Sequence, residues 1–122
     1  DLKNAIINSN IYAKNINKVF SRVFQAVRIE VNDEFVHIEE VIKSICDRIK
    51  VGGRAVFITF HSLEDRLVKR LLLKMNGRLI NTEFGCKKIE LIRKKVIKPK
   101  RDEILINKRS RTAKLRFICV AE

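Results

Sequence analysis

The chain predicts an α/β fold, and three observations predict it. Residues 55–60 (AVFITF) form an uncharged run rich in β-branched and aromatic side chains, the composition of a strand buried on both faces in the middle of a parallel sheet. Gly52-Gly53 precedes that run and His61-Ser62-Leu63-Glu64-Asp65 follows it, so a strand feeds directly into a helix. Ahead of both, Ile38, Val41, Ile42, Ile45 and Ile49 recur at the spacing of one helical face. A strand that runs into a helix N-terminus puts polar groups at the carboxyl edge of the sheet, where α/β proteins bind their ligands.

The elements follow in order. Leu2, Ala5 and Ile6 read as the end of a helix, and an Asn-containing loop leads to a second helix starting near Asn17. That helix carries Phe20, Val23, Phe24 and Val27 on one side and Arg22, Gln25, Arg28 and Asn32 on the other. Asn32 reads as the N-cap of the next helix, with Asp33 and Glu34 in its first turn and Gly52 as its left-handed stop. The central strand is expected over 54–60. Ser62 then reads as an N-cap, with Asp65 three residues on resembling a capping box. Leu63, Leu67, Leu71 and Met75 stripe the helix, and Asn76-Gly77 ends it. Residues 76–86 read as a loop, 88–97 as a strand closed by Pro99, and 100–111 as a charged connection with one helical turn at 102–106. A final strand over 113–121 has Leu115, Phe117 and Cys119 on one face and Ile118 and Val120 on the other. The order is helix, strand, helix, strand, strand, with the last pair antiparallel.

With 122 residues, 46% hydrophobic and 34% charged, the chain has the composition of at most one globular domain. It opens at Asp1 inside an apparent helix and is read as a piece of something longer. A formal net charge of +13, from 27 Lys and Arg against 14 Asp and Glu, points to a polyanionic partner, either nucleic acid or a membrane surface. No apolar run is long enough to span a bilayer, and no signal-peptide pattern is present. The clearest amphipathic helix is acidic at its start, unlike a basic membrane-surface helix, so nucleic acid is favoured. Cys46, Cys86 and Cys119 are widely spaced without a C-x-x-C, and His37 and His61 lie apart. They read as free thiols in a reducing cytoplasm, with no disulfide framework and no metal site expected.

His61, Ser62 and Asp65 suggest a hydrolase only superficially. A triad needs a base beside the nucleophile and an oxyanion hole, which adjacent residues rarely provide, and capping already explains Ser62. Arg109, Ser110, Arg111, Thr112, Lys114 and Arg116 interleave cations with hydroxyls, a pattern suited to phosphates. Together with Lys87, Lys88, Arg93, Lys94, Lys95, Lys98, Lys100 and Arg101 they predict one positive face; the competing reading is edge-strand charge that blocks aggregation. For Arg22 and Arg28 the alternatives are RNA contact, the wall of an active site or an internal ion pair. Aromatic residues are too few for a base-stacking platform.

Four segments occur in a telling order: FQAVRIEVN at 24–32, GGR at 52–54, FHSLEDR at 60–66 and RSRTAKLR at 109–116. Together they closely resemble the bacterial 16S ribosomal RNA cytosine-N4 methyltransferase family (MraW, or RsmH), over residues 17–122 and in that family's C-terminal part only. The resemblance implies a class I, Rossmann-like methyltransferase fold with an inserted helical domain, residues 1–20 being the end of the insertion and 21–122 the C-terminal part of the methyltransferase domain. It implies S-adenosylmethionine as cofactor, a cytosine N4 in 16S ribosomal RNA of the small subunit as acceptor, and a cytoplasmic location. On that basis His61 and Ser62 are candidate catalytic residues on the acceptor side. Arg22, Gln25, Arg28, Arg109, Ser110, Arg111 and Lys114 are candidate RNA contacts. No residue of this chain is expected to bind the cofactor: Gly52-Gly53, Gly77 and Gly85 make no G-x-G-x-x-G loop, and the site is expected upstream of residue 1. The chain alone is therefore expected to be inactive and marginally stable. The alternative from another class is a non-catalytic basic RNA-binding module.

Overall fold

The computed structural model describes residues 1–9, 15–83 and 85–121. They form two compact units, Asp1–Glu34 and Phe35–Glu122. In the first, α1 (Leu2–Asn8) starts at Asp1, whose carboxylate accepts the Asn4 N–H at 2.9 Å. Helix α2 (Ile16–Val31) starts at Asn15, whose side chain accepts from Lys18 N–H. Both are short-side-chain acceptors satisfying first-turn donors. The expected helix near Asn17 is thus present, and the loop between the two helices lies outside the described residues. Asn32 is not the N-cap expected of it. It closes α2, its N–H bonded to Arg28 O, and Asp33 takes a left-handed φ of 48° before α3 (Glu34–Arg48) begins. Asp tolerates that conformation better than most residues.

The second unit is one sheet with helices packed on one of its faces. Strands β1 (Arg54–Thr59), β2 (Leu79–Thr82), β3 (Gly85–Leu91) and β4 (Lys114–Ala121) line up in the order β1-β4-β3-β2, every neighbour antiparallel. Ile42 and Cys46 of α3, Val68 and Leu72 of α4 (Ser62–Met75), Ala55, Ile89, Ile118 and Val120 form the core. Burial, with the charge of Asp47 adding to it, pushes the Cys46 thiol up to about 11. On α4 the buried set is Leu67, Val68 and Leu72, with Leu71 and Met75 packed beside it, while Leu63 is exposed. The stripe is rotated because Asp65, not Leu63, turns inward in the first turn.

Gly52-Gly53 starts the sheet. Gly52 N–H bonds Val120 O at 2.7 Å and Val120 N–H bonds Gly53 O at 3.0 Å, continuing the β1–β4 ladder. Gly52 has a left-handed φ of 81°, and a Cβ on Gly53 would run into the Ile49 side chain and come within 2.8 Å of Lys50 O. Gly52 therefore serves this turn, not the helix end, since α3 stops at Arg48.

Three further expectations need correction. The loop expected over 76–86 contains β2, paired with β3 from Leu79↔Lys88 to Thr82↔Gly85. The strand expected over 88–97 begins earlier and ends at Leu91; only Ile97 returns to the sheet, by a bridge to Leu115. Lys87 belongs to no positive face. Strand alternation puts it inward with Ile89, and its buried ammonium donates to Asp47 O at 2.8 Å and Ile49 O at 2.9 Å, a cation closing the carboxyl end of α3. The short helix α5 (Arg101–Ile106) and the final strand fall where the sequence predicts them. On β4 the inward set is Arg116, Ile118 and Val120.

β1 is apolar on both faces but is not flanked on both sides here. It pairs with β4 along one edge, and Val56 and Ile58 on its outer face are 59% and 57% exposed. No parallel partner strand lies among the described residues.

Candidate functional site: a cationic cavity at the carboxyl end of β1

β1 leaves the sheet at Thr59 and turns into α4 through Phe60 and His61. The helix cap is His61, not the expected Ser62: its backbone is extended (φ −129°, ψ 161°) and its Nδ1 accepts the Glu64 N–H at 3.3 Å. Glu64 reciprocates, Oε2 accepting the backbone N–H of Phe60 at 3.1 Å and of His61 at 3.4 Å. A capping box is therefore present one residue earlier than the sequence suggests. Because Nδ1 accepts a hydrogen bond, the neutral ring carries its proton on Nε2, which lies 2.9 Å from Glu64 Oε1 but makes no hydrogen bond there. Both ring nitrogens thus face Glu64, and Ser62 is left as an exposed first-turn residue with no capping duty.

Asp65, expected in the box, is drawn elsewhere. Its carboxylate is buried and gripped by Arg116 through Nε at 2.8 Å and Nη2 at 3.2 Å, with Lys114 Nζ at 3.5 Å. Burial pushes the carboxyl up, but the Arg116 hydrogen bond and charge, aided by Lys114, outweigh it and hold the group below its ordinary value. Arg116 is consequently a buried tie between α4 and β4, not a phosphate contact as its place in the RSRTAKLR segment suggests. Its Nη1 also reaches Lys94 O at 3.5 Å.

The Arg109–Thr112 segment is a 3-10 turn, Lys108–Thr112, capped by Asn107, whose side chain accepts from Arg109 N–H. Ser110 is buried and donates Oγ–H to Asn107 O at 2.8 Å, so it builds the turn; Arg109 and Arg111 are exposed. The turn delivers Thr112, Ala113 and Lys114 to the amino end of β4, which lies against the carboxyl end of β1 because Thr59 pairs with Lys114. The Ile97–Leu115 bridge, with N–H···O distances of 3.0 and 2.9 Å, brings Lys98 to the same edge.

A cavity of about 370 Å³ results, whose lining includes His61, Ser62, Lys98, Arg111, Thr112 and Lys114. Of the sequence-predicted residues it gathers His61, Ser62, Arg111 and Lys114, and not Arg109 or Ser110. Arg22, Gln25 and Arg28 lie on α2 in the first unit, where Arg28 Nε pairs with Glu34 Oε1 at 2.7 Å, the internal ion pair that was one alternative for it. Sequence reasoning missed Glu64 and the placement of Lys98. Glu64 stands three residues after His61, a spacing that carried the signal; nothing local marks Lys98, whose position depends on a bridge to a distant strand.

A helix N-terminus, two hydroxyls and the cations Lys98, Arg111 and Lys114 thus meet at one edge of an α/β sheet. The chain belongs to the MraW methylase family, which it matches over residues 1–120. It is 48% identical over 96 residues to the ribosomal RNA small subunit methyltransferase H of Elusimicrobium minutum, covering 79% of this chain and 30% of that protein. The corresponding proteins of Bacteroides fragilis and Parabacteroides distasonis are 46% and 47% identical over 104 residues, covering 82% of this chain and 34% of each relative. The chain thus spans about a third of the length of these curated relatives.

Proposed function

We propose that this chain is the C-terminal part of an S-adenosylmethionine-dependent methyltransferase that modifies the N4 of a cytosine in 16S ribosomal RNA of the small subunit, in the cytoplasm. The observation that carries this reading is the family match over residues 1–120, with relatives named as ribosomal RNA small subunit methyltransferases. The cationic cavity agrees with it, because an RNA substrate brings negative charge to this edge.

The residues of this cavity do not fit the cofactor's sulfonium or ribose. S-adenosylmethionine carries a sulfonium cation and a ribose diol that call for carboxylate and glycine-loop contacts, whereas this cavity is lined by three cations and no carboxylate. On this reading the cofactor site lies upstream of residue 1. The same reading makes the sheet part of a larger class I, Rossmann-like one, with residues 1–20 ending a helical insertion and 21–122 completing the methyltransferase domain. In its support, a cavity of about 400 Å³ is lined by α3, α4 and four consecutive β1 residues, Val56 to Thr59, and by none of β4. Thr59 Oγ1 is buried there without a partner, an arrangement suited to a further strand beside β1.

Cytosine N4 is a weak nucleophile because its lone pair is delocalised into the ring. The protein's task is to present the base, splayed out of its RNA, and to accept hydrogen bonds from the amino group as charge develops. Ser62 Oγ, relieved of capping by His61, is the acceptor-side oxygen at this edge. His61 contributes by fixing the turn that presents it. Arg111 and Lys114, with Arg22, Gln25 and Arg109 as further RNA-side residues of this reading, hold the strand; Ser110, buried within its turn, and Arg28, paired with Glu34, drop out of that set.

The test is methyl transfer from labelled S-adenosylmethionine to small subunits lacking the modification, using this chain alone and then the complete parent chain. Label in cytosine N4 with the parent only is expected. Label with neither, alongside salt-sensitive RNA binding by the chain, sinks the enzyme reading in favour of a non-catalytic RNA-binding module.

A further inference from the structure

We propose that the cavity at the β1–α4 turn is a phosphate subsite, seating one backbone phosphodiester of the RNA with Lys98 and Arg111 as its principal cations. This deepens, and rests on, the reading of the parent protein as an RNA methyltransferase.

The three cations of the lining are not equivalent. Lys114 lies 3.5 Å from Asp65, a carboxylate already gripped by Arg116. Lys98 and Arg111 are exposed and have no ion-pair partner among the described residues. Unpaired cations lining one cavity repel, and an anion between them relieves that. The neutral groups fit the same ligand. Thr112 supplies a hydroxyl, while Ser62 at the rim stays with the base, and α4, 14 residues long, directs its N-terminus here. Its first intrahelical bond is Asp65 N–H to His61 O, and the Glu64 N–H goes to His61 Nδ1. The Ser62 and Leu63 N–H groups therefore precede the intrahelical ladder.

A base is a poorer fit than a phosphate. The His61 ring has both nitrogens turned to Glu64, and the cation-and-hydroxyl set matches what proteins present to nucleic-acid backbones. At about 370 Å³ the cavity has room for a phosphodiester with part of its sugar. Its anion could also come from the carboxylate of the cofactor, so the test separates the two sources.

In the complete parent protein, Lys98→Gln and Arg111→Gln are compared with the unaltered protein in binding an RNA oligonucleotide that bears the acceptor cytosine, as a function of salt. A set of otherwise identical oligonucleotides carries one neutral methylphosphonate each. Each substitution is expected to weaken RNA binding about tenfold near 0.1 M salt and to lower the salt slope by about 0.7. Affinity for S-adenosylmethionine is expected to stay unchanged. At one methylphosphonate position the unaltered protein should lose the same factor, and Lys98→Gln should then add nothing. Unchanged affinity and slope in both variants, losses that multiply with every methylphosphonate, or weakened cofactor binding with RNA binding intact each overturn the subsite while leaving the methyltransferase reading in place. A parent protein that neither binds nor methylates RNA overturns that reading and the subsite with it.

Discussion

Asp65 shows how one side chain decides what its neighbours can do. Sequence spacing pairs it with Ser62, yet a guanidinium 51 residues away holds it at 2.8 Å. That contact could not be read locally, because only the β1–β4 register brings Arg116 under the first turn of α4. The capping site followed from the same competition, passing to His61 and Glu64 once Asp65 was engaged elsewhere. The folded-state value of the Asp65 carboxyl is depressed below that of the unfolded chain, so the pair stabilises the fold fully above about pH 4, the unfolded range for Asp, and the contribution is lost as pH falls through the folded value. Replacing Asp65 by Asn in the parent protein leaves Arg116 buried without its counter-charge and is expected to cost roughly 3–5 kcal/mol at neutral pH. The variant should also lose part of the acid sensitivity. Changing both residues, Asp65→Asn with Arg116→Met, should recover much of the loss. Urea titrations at pH 7 and near pH 3 check this; an Asp65→Asn variant as stable as the original at pH 7 contradicts the pairing.

At the level of elements, legibility tracked how local the determining interactions are. The helix before β1, the strand–turn–helix unit, α5 and the last strand were readable because their periodicity lies within them. The caps expected at Asn32 and Ser62 and the stop at Gly52 were displaced by tertiary or neighbouring contacts. β2 was not: Leu79-Ile80-Asn81-Thr82 is four residues between glycines, and it becomes a strand only by pairing with β3. Lys87 and Arg116 looked like surface charge because a strand's inward positions are not marked by residue type when the side chain finds a buried partner. The site was half legible. Its turn and its RSRTAKLR cations were visible, while Lys98 and the division of labour between His61 and Ser62 depended on tertiary pairing. The capping box makes an element-scale prediction. Glu64→Ala removes the acceptor of the Phe60 and His61 N–H groups and should cost about 1 kcal/mol, whereas Glu64→Gln should recover most of it. Thermal denaturation of the parent variants measures both; equal losses for Ala and Gln would mean that the reciprocal bond to the backbone is not what holds the turn.

At the scale of the whole molecule, the second unit packs its helices on one face of its sheet. Its core lies between the sheet and the α3 and α4 helices, and the opposite face of β1 shows Val56 and Ile58 to solvent. β1 and β2 form the sheet's two edges, and β1 is the greater hazard because its run is longer and apolar on both faces. An uncovered strand of that composition favours pairing with other copies, and a net charge of +13 opposes it by repulsion only while salt is low. We therefore expect the 122-residue chain by itself to melt broadly, with weak near-UV circular dichroism, and to aggregate as salt is raised from about 0.05 to 0.5 M. The parent protein, with β1 covered, should melt cooperatively and stay dispersed over the same range. Replacing Val56 and Ile58 by Thr should reduce the aggregation of the isolated chain and, by removing apolar burial, destabilise the parent by roughly 1–3 kcal/mol. Opposite signs in the two contexts are what a covered face predicts. A sharp melt of the isolated chain, together with a parent indifferent to both substitutions, would show that β1 is a true surface strand and that no further layer rests on it.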